Sequence, residues 1–201
     1  LNKKLYDLSI GLHSLTIFKS LKSDPVIKSL MAYLDNANNV STLEAVEYFS
    51  NVASSLYAAG DENISNYIQT IVGFDENLYI KKVALSKAPT SLLKKNVERE
   101  LEILQKVADL TPSELRDGIE WTEYLPGWSN TKVDLKGFYK NRCDNVSMYG
   151  YGMYAQYHMF YINKENNIVP VKNPDPIRLK DLIDYKDEQQ KIIDNTLALL
   201  D

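Results

Sequence analysis

From Leu1 to about Gly118, apolar residues return every three or four positions between explicit start and stop signals, a spacing that an α-helical array buries and a sheet does not. "SDPVIKSLMAYL" sets Ser23 or Asp24 as an N-cap and Pro25 at the first helical position, where a missing N–H leaves no hydrogen bond unmade. "STLE", Ser41 to Glu44, has the capping-box spacing, and behind it Leu43, Val46, Phe49, Ala53 and Leu56 fall at helical intervals until Gly60 supplies a stop. After "KAPT", Leu93, Val97, Leu101, Leu104 and Ala108 share one face, with Glu102 and Lys106 paired four apart on the other. Thr111, Pro112 and Glu114 open a further short helix. No internal repeat is evident, and a helical bundle and a short helical-repeat stack both fit the spacing.

The character changes near Trp121, where two tryptophans, Pro126 and Gly127 fall close together. The pattern predicts a helix from Asp134 to about Met148. A β-hairpin follows: Tyr157, Met159 and Tyr161 alternate with His158, Phe160 and Ile162, "NKENN" is turn-like, and "IVPV" returns. "NPDP" ends it, because a residue before proline is pushed away from helix. The predicted fold is mainly α: helices over 1–120, a small α+β element with the hairpin over 121–176, and a C-terminal helix within 177–201.

Charge and cysteine content narrow the classes of function. The net charge is −4 with acids and bases interleaved, which argues against a general electrostatic grip on nucleic acid or anionic lipid. One cysteine, Cys143, makes no internal disulfide, and with two histidines there are too few soft ligands for a zinc cluster. A reducing, cytoplasmic setting is expected. No apolar run approaches the roughly 20 residues of a membrane-spanning helix.

Few residues point to chemistry. Gly150 and Gly152 in "YGYGMY" lack the G-x-x-x-x-G-K-[ST] spacing of a Walker loop and the third glycine of a dinucleotide fingerprint; they read as positions of positive φ before a strand. His158 is flanked by apolar residues and His13 is far away in sequence. "NRCDN" resembles no nucleophile motif, so Cys143 reads as a small, partly buried thiol. "DENL" and "VERELE" lack metal-loop spacing. The aromatics of the 136–161 stretch, with Lys136, Lys140 and Arg142, imitate a platform for single-stranded nucleic acid; the same aromatics at alternating spacing also fill a hairpin face.

The last third carries a resemblance. From "LPGWSNTKVDL" through "YGYGMYAQYHMFYI" to "IVPVKNPDPIRLKDLIDYKDEQQKIIDNTLALL", about 80 residues, the chain resembles the region just upstream of the ATP site in a bacterial family of predicted AAA+ ATP-binding proteins of unknown function. The first 120 residues are similar to the variable helical N-terminal part of such proteins in general character only. In AAA+ proteins a "D-L-I-G-x-E"-like segment lies against the adenine, and "DLIDYKDEQ" is similar to it. The resemblance therefore implies that Leu182, Ile183, Asp184 and Tyr185 are nucleotide-proximal. Asp184 departs from the pattern, standing where glycine is common, and with Asp187 and Glu188 it also suits a helix N-terminus.

The resemblance further implies a non-catalytic N-terminal region that binds a partner or regulates the motor, with a Walker A motif, ATP and Mg²⁺ belonging to the parent protein downstream. Position one is Leu, and the chain finishes on the apolar helical positions Ile192, Ile193, Leu197 and Leu200. A piece of a longer protein is expected, its tail docking on the ATPase module or on another protein. Binding of single-stranded nucleic acid through 136–161 is the alternative.

Overall fold

In the computed structural model, which describes residues 3–36, 40–121, 123–181 and 185–198, the helical spacing of the first half becomes seven helices. These are α1 (Lys3–His13), α2 (Pro25–Asn36), α3 (Thr42–Ala58), α4 (Ile64–Phe74), α5 (Leu78–Ala84), α6 (Ser91–Ala108) and α7 (Pro112–Arg116). They start where local chemistry satisfies the orphan amides of a first turn. Asp24 Oδ1 accepts from the amides of Val26 at 3.0 Å and Ile27 at 3.1 Å, with Pro25 between them. Both halves of the capping box form at Ser41/Glu44 and again at Thr111/Glu114. At its far end α3 hands over to Gly60, whose φ of +81° only glycine adopts without strain.

Packing centres on α6. Its Val97, Leu101, Leu104, Val107 and Ala108 are buried, and the helix contacts α1, α4 and α5. Neighbours this remote in sequence make a bundle, since in a repeat array each unit touches only the next. A second layer is α2 along α3, joined by Tyr33 and Phe49 at a 6.3 Å ring separation and closed by Trp128 stacked 5.7 Å from Phe49. Each such buried side chain contributes about 1.5–3 kcal/mol relative to exposure.

The stretch after Trp121 is stitched into this bundle. Trp128 Nε1 donates to the Leu110 carbonyl at 2.8 Å, and Asn130 Nδ2 donates to the carbonyls of Ala108 and Leu110, covering orphan acceptors at the end of α6. Asn63 and Ser129 form an isolated parallel bridge, in which the Ile64 amide donates to the Ser129 carbonyl at 3.1 Å and the Ser129 amide donates to the Glu62 carbonyl at 2.8 Å. Beyond it come α8 (Leu135–Asp144), which packs on α4 and α6, then α9 (Val146–Tyr149) and α10 (Met153–Gln156). The single helix expected over residues 134–148 is thus two. Asn145, at φ −117° and ψ 27°, leaves helical geometry, and its amide at 3.1 Å and its side chain at 2.9 Å both donate to the Asn141 carbonyl.

By its internal contacts the chain divides into Leu1–Gln156 and Tyr157–Asp201. That division differs from the boundaries near 120 and 176 drawn from sequence. The second unit holds strands β1 (Phe160–Ile162) and β2 (Ile168–Pro170), antiparallel with Phe160 opposite Pro170, and helix α11 (Lys186–Leu197). Among the described residues the protein is therefore mainly helical, with one small hairpin and a C-terminal helix.

Candidate functional site

Three places in the fold gather polar or exposed apolar groups. The first is a buried network. Glu100, 4% exposed, sits on the apolar face of α6 in phase with Val97, Leu104 and Val107. Its carboxylate accepts from the amides of Thr16 at 2.8 Å, Ile17 at 3.0 Å and Phe18 at 2.9 Å, and from Thr16 Oγ1 at 2.6 Å. It thereby anchors the segment that links α1 to the 3-10 turn Lys19–Ser23. Asp75 accepts from Ser20 Oγ of that turn and, at 2.8 Å, from Asn77 Nδ2. Burial pushes the Asp75 carboxyl above its ordinary range, opposed by those two hydrogen bonds. Asn77 Oδ1 caps α5 through the amides of Tyr79 and Ile80, each at 3.0 Å, and Tyr139 Oη of α8 lies 3.0 Å from Asn77 Nδ2. Every polar atom in this network has a structural partner, so its chemistry is to fasten elements together. The sequence signal for Glu100 was present: an acid in phase with an apolar stripe.

The second is the aromatic and basic stretch 136–161. Tyr139 is buried, and Lys140 pairs with Asp144 at 2.5 Å along its own helix. Arg142 stands 4.9 Å over the Tyr149 ring, and its guanidinium donates toward the carbonyls of Gly73 and Gly150 at 3.4 and 3.3 Å, bracing the end of α4. Cys143 is buried, and burial pushes its thiol up to about 11, far from the reactive range. Gly150 and Gly152 have φ of +66° and +54°, as read from the sequence. Gly150 combines that φ with ψ −170°, a region essentially closed to other residues, and an added Cβ would lie 3.1 Å from the Tyr154 carbonyl oxygen. Gly150→Ala is expected to cost about 1–3 kcal/mol in urea unfolding. With Lys136, Lys140 and Arg142 each engaged by a protein group, single-stranded DNA is expected to bind at most weakly at low salt; micromolar affinity falling steeply with salt would favour the nucleic-acid alternative.

The third place is the second unit. None of its described residues is buried. Met159, Tyr161 and Ile162 in and beside the hairpin, and Ile192, Ile193 and Leu197 on α11, range from 41% to 70% exposed. The residues that the resemblance places near a nucleotide belong here. Leu182, Ile183 and Asp184 lie outside the described residues. Tyr185 precedes α11 as its N-cap residue, makes no side-chain cap, and is 57% exposed. His158 is exposed beside the hairpin, and His13 lies 2.9 Å from Asp35 in the other unit.

Comparison with family models, with curated proteins and with solved structures found no match.

Proposed function

We propose that this chain is the non-catalytic N-terminal region of a cytoplasmic AAA+ ATPase, in which the helical bundle binds a partner or regulates the motor and residues 157–198 dock on the ATPase module. One observation carries the reading: a unit with no buried described residue displays an apolar helical face and a bare hairpin. A hairpin alone and a 12-residue helix alone are both marginal in water, so such a unit gains its order from a surface that covers it. The family resemblance of that same segment supplies the identity of the surface. No helix among the described residues is long and apolar enough to cross a membrane.

In a P-loop ATPase the ATP phosphates and Mg²⁺ are held by a glycine loop, a lysine and a hydroxyl in Walker spacing, a pattern absent from the 201 residues. The proposal assigns both to residues that follow Asp201 in the parent. Calorimetry on the 201-residue chain is expected to show ATP binding weaker than about 100 μM, roughly −5.5 kcal/mol. The protein lengthened past Asp201 through a Walker A motif is expected to bind ATP, and Tyr185→Ala in it to lose about 1–3 kcal/mol of that affinity while Lys186→Ala loses little. Equal affinities in the two variants would remove the adenine-side role, and a downstream sequence with no Walker motif would remove the ATPase.

A further inference from the structure

We propose that the cleft between α5, α6 and α8 binds a small aromatic carboxylate. The cleft measures about 250 Å³, below the roughly 300–1,000 Å³ typical of sites for drug-sized ligands, which limits the occupant to about one ring and its substituent. Its lining is apolar and partly flat. Val97 and Leu101 of α6 are 4% and 3% exposed, and Tyr79 and Tyr139 also line it, their ring centroids 6.2 Å apart and planes tilted by 39°. Tyr139 Oη accepts from Asn77 Nδ2 at 3.0 Å and donates to Asn77 Oδ1 at 3.2 Å, so its proton is already engaged. The wall is also held in place beforehand. Asn77 caps the first turn of α5, which carries Tyr79, so little ordering cost falls on binding.

The rim supplies a sign of charge. Lys94, Lys136 and Lys140 stand around the opening with Glu98 and Asp144. Asp144 is engaged by Lys140 at 2.5 Å, and Glu98 stands 4.0 Å from Lys136. Among the described residues no carboxylate lies within 4.0 Å of Lys94, which leaves the rim with one cation in excess. An inorganic anion on such exposed lysines is screened and weakly held, and a neutral ring leaves the lysine unused. A ring with a carboxylate uses both: the ring removes apolar surface from water and the carboxylate meets Lys94 at the mouth. This inference is independent of the ATPase reading.

The test uses the 201-residue chain with three probes, benzoate, benzamide and acetate, followed by ¹H–¹⁵N spectra. Benzoate is expected to saturate in the millimolar range and to shift the amides of Lys94, Val97 and Cys143. Benzamide and acetate are each expected to bind about fivefold more weakly or worse. Lys94→Glu, an exposed change that leaves the fold intact, is expected to abolish the preference for benzoate over benzamide. Equal binding of benzoate and benzamide, equal binding of benzoate and acetate, shifts confined to residues outside the cleft, or no saturation below about 20 mM would overturn the proposal.

Discussion

Glu100→Ala is expected to destabilise the helical unit by about 3–5 kcal/mol, a large share of the roughly 5–15 kcal/mol that holds a domain folded. The side chain is 4% exposed and its two oxygens satisfy three consecutive backbone amides and a hydroxyl. Removing it strands those donors beside Phe18, which is fully buried, and each unsatisfied buried donor costs about 1–3 kcal/mol. Water reaches the Thr16 end, which is exposed, and offsets part of the loss. Glu100→Gln keeps the volume but turns an amide N–H₂ toward a site that already contains only donors, so about half the loss is expected to remain. Urea unfolding followed by tryptophan fluorescence reads both variants. A loss below about 1 kcal/mol for the alanine variant would mean that solvent, and not Glu100, satisfies the Thr16–Phe18 amides.

That residue also marks the limit of what the sequence disclosed. Local signals were legible: Asp24 before Pro25, the Ser41/Glu44 box and the Thr111/Glu114 box each decide the start of a helix within four residues. The hairpin and the positive φ of Gly150 and Gly152 were legible for the same reason. The phase of Glu100 with the apolar stripe was legible but its role was not, because its partners lie more than 80 positions upstream. The central place of α6 was hidden likewise, since its contacts with α1 and α8 join segments far apart in sequence. The break at Asn145 was missed because the apolar pattern runs through it, while the departure lies in the backbone angles of Asn145, whose side chain and amide share the Asn141 carbonyl. Of the four residues that the resemblance places near a nucleotide, only Tyr185 lies among the described residues, and its side chain is exposed.

Hydrogen exchange along α11 tests the docking of residues 157–198 most directly. With Ile192, Ile193 and Leu197 exposed and no buried residue to hold the helix, its amides in the 201-residue chain are expected to be protected by no more than about tenfold, the level of a short isolated helix. Amides of α6, whose apolar face is buried among α1, α4 and α8, are expected to reach about 10³-fold or more. Lengthening the protein past Asp201 through the ATPase module is expected to raise protection of Gln189 to Leu197 by about 100-fold, as the apolar face is covered. Amides of α11 already as slow as those of α6 in the 201-residue chain, or unchanged on lengthening, would contradict the docking of this segment on an ATPase.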